Sequence, residues 1–272
     1  MQEEFALQDR DFHKLVKIVM DTAGIVLSEK KRAFIHGRLG RRLRVLGLSD
    51  FSEYCDLLDT RAGDDERLNL INAITTNHTS FFRESHHFDY LTKLILPTIV
   101  GANGASKRLR IWSAGCSTGE EPYTIAMTLR GHQPLAGWNV KILATDLDTN
   151  VISHAAEGVY DAERVESIPE TYRKRYLTSQ DGRAVMRDEL CDLITFKHLN
   201  LLGEWPMSGP FDIIFCRNVV IYFDKQTQRK LFDRYAEILR PDGWLFIGHS
   251  ESLLNVTDRF DLVGRTVYRR IK

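Results

Sequence analysis

Two carboxylates and a glycine-bearing turn are the residues whose types and spacing point most directly to chemistry. Arg110-Ile111-Trp112-Ser113-Ala114-Gly115-Cys116-Ser117-Thr118-Gly119-Glu120-Glu121 runs from an apolar segment into a turn, and a helical pattern follows from Pro122 to Leu129. In such a strand–turn–helix the backbone N–H groups can approach a ligand, and Gly115 and Gly119 remove side chains where the backbone must come near something. A second apolar run, Val140 to Thr145, ends in Asp146, where folds of this kind place a carboxylate that holds ribose hydroxyls. The glycines are spaced G-x-x-x-G, unlike the G-x-G-x-x-G of dinucleotide enzymes. No basic residue stands in the turn, and two glutamates follow it. Anionic phosphate is a poor ligand for that turn; a cationic or zwitterionic nucleoside such as S-adenosylmethionine suits it better.

Other chemistry is less well supported. His86-His87 could suggest a metal, but sequence neighbours point to different sides of a helix, so no metal site is expected. Cys55, Cys116, Cys191 and Cys216 are far apart and form no C-x-x-C pair. Lys+Arg and Asp+Glu both number 37 in 272 residues, so no global charge argues for nucleic acid. The start Met1-Gln2-Glu3-Glu4-Phe5 is acidic and lacks a signal-peptide shape. The longest apolar stretch, Leu91 to Val100, is broken by Lys93 and Pro97 and is too short to span a bilayer. A cytoplasmic protein without direct membrane insertion is expected.

The elements that must position these residues fall into two halves. From Asp9 to about Asp89, apolar residues recur at helical spacing: Phe12, Leu15, Val16 and Val19, then Phe34, Leu39, Leu43 and Leu46, then Phe51, Tyr54, Leu57 and Leu58. Gly24 and Gly47 read as helix stops and Asp50 lies at a helix start. An all-helical domain over residues 1–90 is expected. Gly101 to Ser106 reads as a linker or loop, after which strands alternate with helices. The strand candidates are Leu109–Ala114, Val140–Thr145, Ile194–Lys197, Phe211–Cys216, Trp244–Gly248 and Leu262–Arg269. The helix candidates are Pro122–Arg130, Val151–Glu157 and Lys225–Leu239. Such alternation predicts an α/β domain over 91–272, with a mostly parallel sheet covered on both faces. Leu239 to Gly248 reads as a helix exit, a Pro-Asp-Gly turn and a strand, and a last strand ends the chain without a further helix. That ending resembles the seven-stranded, Rossmann-like S-adenosylmethionine methyltransferase fold, whose final strand enters antiparallel. Asp181-Gly182, between short β-like runs, predicts a small antiparallel β insertion at about 172–192.

Seven segments, in order, resemble the bacterial chemoreceptor glutamate methyltransferases, the CheR family. They are Arg38–Leu48 (RLGRRLRVLGL), Thr76–Arg83 (TNHTSFFR), Ser113–Tyr123 (SAGCSTGEEPY), Ala144–Asp148 (ATDLD), His198–Leu202 (HLNLL), Phe211–Asp224 (FDIIFCRNVVIYFD) and Pro241–Glu251 (PDGWLFIGHSE). The resemblance implies methyl transfer from S-adenosylmethionine to glutamate side chains on the cytoplasmic helices of a chemoreceptor, with S-adenosylhomocysteine as product. It implies that Asn77, Thr79 and Arg83 line the methionine end of the cofactor and the active site. Glu121 and Asp146 would then meet its amino group and ribose, Asn200-Leu201 and Asn218-Val219 would flank the adenine and donor side, and Tyr222 would stand near the reacting centre, with Arg83 and Tyr222 the expected catalytic pair. Arg217 reads as a structural ion pair rather than a catalyst. Phe81 and Phe82 have a plainer reading as a staple of the helical domain onto the sheet.

The chemistry is consistent with these residue types. An acceptor glutamate, with a pKa of about 4.3, is already ionised near neutral pH, so no general base is needed. Uniting a sulfonium with a carboxylate dissipates charge, and a site gains by excluding water and aligning the reacting atoms. Arg83 could clamp a carboxylate bidentately. On the helical side, Lys30-Lys31-Arg32, Arg38, Arg41, Arg42 and Arg44 make one helix strongly basic around a stripe of Ile35, Leu39, Leu43 and Leu46, and no acid intervenes between Glu29 and Asp50. Without interleaved aromatics, the face suits an acidic helical bundle better than nucleic acid, which makes Arg38, Arg41 and Arg44 candidate substrate-binding residues. A monomer is expected, and so short a hairpin loop predicts no tether to a receptor's C-terminal pentapeptide. An RNA methyltransferase and a non-catalytic cofactor sensor are the rival readings.

Overall fold

The computed structural model describes Phe5–Lys272, so all but the last residue of the acidic start lies outside the described residues. Two compact units make up the chain. One runs to Thr76 and includes Tyr222–Asp224; the other comprises Asn77–Ile221 and Lys225–Lys272. The helical pattern that continues to residue 90 thus crosses between units, and residues 77–90 pack with the sheet.

The helical unit contains α1 (Asp9–Ala23), α2 (Arg32–Leu46), α3 (Phe51–Asp59) and α4 (Asp64–Ile74). Their apolar faces bury Phe12, Leu15 and Val19, then Ile35, Leu39 and Leu43, then Tyr54 and Leu58, then Leu70 and Ile71. Burial of these stripes, more than helix propensity, holds such short helices together. Gly24 and Gly47 end α1 and α2 in the left-handed conformation, and the Asp50 carboxylate caps α3 by accepting the Glu53 N–H at 2.9 Å. Leu46, expected in the buried stripe, is exposed in the last turn of α2. Arg42 turns inward to pair with the buried Glu66, which also accepts the Tyr54 hydroxyl. Tyr222 belongs to this unit: its carbonyl accepts the Val26 N–H at 2.9 Å, and the Lys31 ammonium lies 5.2 Å from its ring centre.

The sheet unit begins with α5 (His86–Tyr90), a π-helical turn (Leu91–Ile95) and α6 (Leu96–Asn103). It continues through β1 (Arg108–Ala114), α7 (Glu120–Gly131), β2 (Asn139–Asp146), α8 (Thr149–Glu157), β3 (Val159–Tyr160), α9 (Glu170–Tyr176), β4 (Leu177–Gln180), β5 (Arg183–Met186) and α10 (Asp188–Cys191). It ends with β6 (Ile194–His198), β7 (Phe211–Cys216), α11 (Lys225–Ile238), β8 (Leu239–Ile247), β9 (Phe260–Gly264) and β10 (Val267–Arg270). The linker expected at Gly101–Ser106 is half helix, because α6 runs on through Asn103.

Seven strands form one sheet in the order β6-β2-β1-β7-β8-β10-β9, parallel from β6 to β8 and antiparallel on both sides of β10. β7 is buried at every position, as a central parallel strand must be. The single last strand expected at Leu262–Arg269 is two strands, β9 and β10, because the chain reverses at Arg265-Thr266 with Thr266 at φ 55°. The Pro-Asp-Gly segment does not separate helix from strand. Leu239 pairs with Phe211 and Trp244 with Ile213, so Arg240–Gly243 bulges out of β8 with Asp242 at φ 59°. The insertion is three-stranded, β3-β5-β4, antiparallel throughout. Its tip is Asp181-Gly182, both residues at positive φ, the conformation that a two-residue hairpin turn requires.

Candidate functional site

The expected ligand residues of the sheet unit gather around the C-terminal ends of β1, β2, β6 and β7. Strand β1 lies inside the sheet between β2 and β7; the chain leaves it for β2 on one side and fills the other side with β7. A crevice at such a reversal is where open α/β sheets bind ligands.

The first cluster joins Asn77 to Asp146. One Asp146 oxygen accepts the Ser117 N–H at 2.8 Å and the other accepts the Asp148 N–H at 3.0 Å. The Ser117 hydroxyl donates to the Asn77 carbonyl at 3.0 Å, and the Asn77 amide donates to Asp148 at 2.7 Å. Asp148 in turn caps α8 by accepting the Asn150 N–H. Burial raises the Asp146 carboxyl, and the N–H groups of Asp148 and Ser117 offset only part of that rise. A carboxylate has about four acceptor positions, so capacity for two hydroxyls remains after these bonds.

The second cluster centres on Arg217, whose side chain is only 3% exposed. Its guanidinium lies 3.1 Å from Glu121 and 3.2 Å from Glu84, and donates to the Arg83 carbonyl. The second Glu121 oxygen accepts the Ser113 hydroxyl at 2.7 Å. Burial raises the Glu121 carboxyl, opposed by Arg217 and Ser113. At Glu84 burial also pushes upward, but Arg217 and the hydrogen bonds from His249 outweigh it and hold the carboxyl down at about 2. The Arg83 guanidinium donates to the His78 carbonyl at 2.8 Å. Arg217 is thus an ion-paired residue, as its sequence reading expects.

The third cluster shapes Asn218-Val219. The Glu251 carboxylate collects the N–H groups of Gly248 at 2.6 Å, Asn218 at 3.0 Å and Ile221 at 3.3 Å, fixing Asn218 at φ 60°. Val219 packs on the turn itself: a Cβ on Gly115 would stand 2.3 Å from the Val219 Cγ2. Asn200-Leu201 follow β6, with the Asn200 side chain accepting the Leu202 N–H at 3.0 Å. Thr79 is half-buried on the 77–83 segment.

Several expectations change. The glycines of the turn make room for protein atoms as well as for a ligand, since a Cβ on Gly119 would meet the Tyr160 hydroxyl at 2.6 Å. Within the sheet unit, Phe81 and Phe82 pack on the inserted subdomain, Phe81 edge-on to Tyr160 at 5.0 Å and Phe82 stacked on Tyr172 at 5.4 Å. His86 and His87 do not diverge: their rings lie 4.3 Å apart, because adjacent side chains in the first turn of a short helix can still touch. With Glu84 they form a cluster that could hold a metal ion, but His87 packs on Phe246 and contacts Thr266, and Arg217 stands against Glu84. A cation there would face that guanidinium. Ser117, Asp148 and Glu251 are site-building residues that the sequence reading did not single out. Asp148 carried a signal, an Asp immediately before a helix; Glu251 carried none.

A half-buried carboxylate on β2 and a buried one on α7, with no lysine in the turn, fit a nucleoside bearing positive charge. The comparisons agree. Residues 77–269 match the family model described as CheR methyltransferase, SAM binding domain, and residues 10–75 match CheR methyltransferase, all-alpha domain. A chemotaxis protein methyltransferase of Escherichia coli (strain K12) is 42% identical over 98% of this chain and 93% of its own length. The protein of that name from Borreliella burgdorferi is 44% identical over 89% of this chain and 88% of its own. Chemotaxis protein methyltransferase 2 of Pseudomonas aeruginosa is 42% identical over 98% and 95%. This chain belongs to the CheR methyltransferase family and is an S-adenosylmethionine-dependent methyltransferase.

Proposed function

We propose that the enzyme methylates glutamate side-chain carboxylates on the cytoplasmic helical bundle of bacterial chemoreceptors, forming glutamyl methyl esters, and that it works in the cytoplasm as a monomer. Among the described residues no helix is long and apolar enough to cross a membrane. S-adenosylmethionine supplies a methyl group on a positively charged sulfur. Asp146 and Glu121 orient it through ribose and amino group, with Asn77, Thr79, Asn200, Leu201, Asn218 and Val219 closing the pocket. Arg83 clamps a carboxylate, and Tyr222 is its proposed catalytic partner. The acceptor is ionised without help, so the residues align groups and exclude water rather than move a proton.

The observation that carries the receptor reading is the exposed row Arg38, Arg41 and Arg44 on α2, whose other side buries Ile35, Leu39 and Leu43. An acidic helix bundle is the partner that such a row fits, and the family match supports it. Labelled methyl donor tests the function. Alkali-labile label on a receptor fragment is expected, whereas stable label on RNA or no transfer would refute the ester.

Replacing Arg38, Arg41 and Arg44 together with Ala should raise the KM for receptor roughly 5- to 30-fold, about 1–2 kcal/mol from three exposed pairs, while cofactor affinity stays. Wild-type activity should fall as salt rises. Unchanged receptor kinetics in the triple variant would leave α2 as a soluble face only.

A two-residue turn at Asp181-Gly182 leaves little loop to cradle a receptor's aromatic–acidic C-terminal pentapeptide, so tethering is not part of the proposal. Calorimetric titration of the free pentapeptide should give no measurable heat; micromolar binding would reverse this view.

A further inference from the structure

We infer that Arg217 is a positioning residue of the methyl-transfer site, holding the Glu121 carboxylate ionised and the Arg83 main chain in place. The inference rests on the donor-site reading of Glu121 and Arg83 above. Three chain segments meet at one guanidinium: the end of β7, the start of α7 and the loop before α5. One arm reaches Glu121 at 3.1 Å, and the other reaches both the Arg83 carbonyl and Glu84, the latter at 3.2 Å. A planar fork can serve such partners at fixed angles, which a lysine cannot. Arg217 immediately precedes Asn218, so the same residue also sets where the Asn218-Val219 turn begins.

The charges explain why a buried cation is needed there. Glu121 faces Arg217, the Glu84 carboxylate, the Ser113 hydroxyl and the thiols of Cys116 and Cys216. Both thiols are pushed well above the ordinary range by burial and stay neutral. Glu84 also faces His249 at 2.7 Å and His87 at 3.4 Å. Burial, reinforced by Arg217 and His86, pushes His87 down to about 3, so it adds no charge at neutral pH. Arg217 is therefore the cation that offsets the buried Glu121 and the half-buried Glu84 carboxylates. The remaining net charge of the three groups is −1, the sign that a ligand amino group requires. Without Arg217, burial and Glu84 would together drive Glu121 towards its neutral acid, which cannot pair with that amino group.

The two neighbours of Glu121 then act in opposite directions, and that opposition is the test. Affinity for S-adenosylhomocysteine is measured by calorimetry across acid to alkaline pH for the full chain. In Arg217→Gln the pH below which affinity falls should move upward, with a loss of at least about tenfold at neutral pH that shrinks as pH rises. In Glu84→Gln, which keeps an oxygen for His249, that pH should move downward. Arg217→Lys should restore most of the acid limb. In Glu121→Gln/Arg217→Gln the Arg217 change should shift nothing further. A packing role alone predicts pH-independent losses, so an unshifted limb in both single variants, or shifts of the same sign, overturns the inference. If Arg217→Gln does not fold, Glu84→Gln decides alone, since an unshifted limb in it is sufficient to reject. Failure of the underlying reading looks different: Glu121→Ala would then bind the product like wild type.

Discussion

Asp146→Ala is expected to weaken S-adenosylhomocysteine binding by about one to two orders of magnitude, the effect of losing a charged acceptor of two ligand hydroxyls at roughly 1.5–3 kcal/mol. The same deletion removes the acceptor of the Ser117 and Asp148 N–H groups. The turn then loses its anchor to β2, and Asn77 loses the Ser117 position to which its carbonyl is bound. Asp146→Asn should fall between wild type and Ala, because its amide oxygen can accept only one of the two N–H groups while its NH2 confronts the other. Calorimetry on protein that unfolds at or near the wild-type temperature separates binding from folding. Product affinity within twofold of wild type in the Ala variant would remove Asp146 from the site.

Gly119→Ala should cost more stability than Gly182→Ala, which is its control. Both glycines have positive φ, 97° and 78°, so both pay the left-handed penalty of about 1–2 kcal/mol for an L-residue. Only Gly119 also lacks room: its added methyl would stand 2.6 Å from the Tyr160 hydroxyl and 2.9 Å from the Ala155 Cβ, whereas nothing lies within 4 Å at Gly182. Overpacking adds about 1–3 kcal/mol. Tyr160 donates to the Thr118 carbonyl at 2.7 Å, so the displaced ring also pulls on the turn that carries Ser117. Thermal unfolding with and without S-adenosylhomocysteine should therefore show a lower midpoint and less stabilisation by ligand for Gly119→Ala. Equal shifts for the two variants would mean that the crowding carries no energy.

Much of this was legible in the sequence because it is local. Mostly apolar runs announced β1, β2 and β7, and Gly24 and Gly47 stopped their helices where a left-handed residue was needed. Asp146 could be placed because it ends an apolar run one crossover after the glycine turn. What stayed hidden depends on contacts across the chain. Glu251 reaches Asn218 over 33 positions, and nothing in His249-Ser250-Glu251 says so. The two residues of β3 are too few to alternate visibly, so the insertion read as a hairpin rather than a three-stranded sheet. Pro241-Asp242-Gly243 has the composition of a turn, yet the pairing of Leu239 with Phe211 makes it a bulge inside a strand. The closeness of His86 and His87 was missed because helical periodicity separates directions, not side chains long enough to meet.

The membership of Tyr222–Asp224 in the helical unit has a consequence for synthesis on the ribosome. The first 76 residues emerge early, but three residues that complete their unit lie about 150 positions downstream, and at roughly 5–20 residues per second they arrive some 7–30 seconds later. Until then the Val26 amide has no Tyr222 carbonyl to donate to, and the Lys31 ammonium has no ring beneath it. A segment cut at Thr76 therefore lacks these two contacts, which only the later part of the chain supplies.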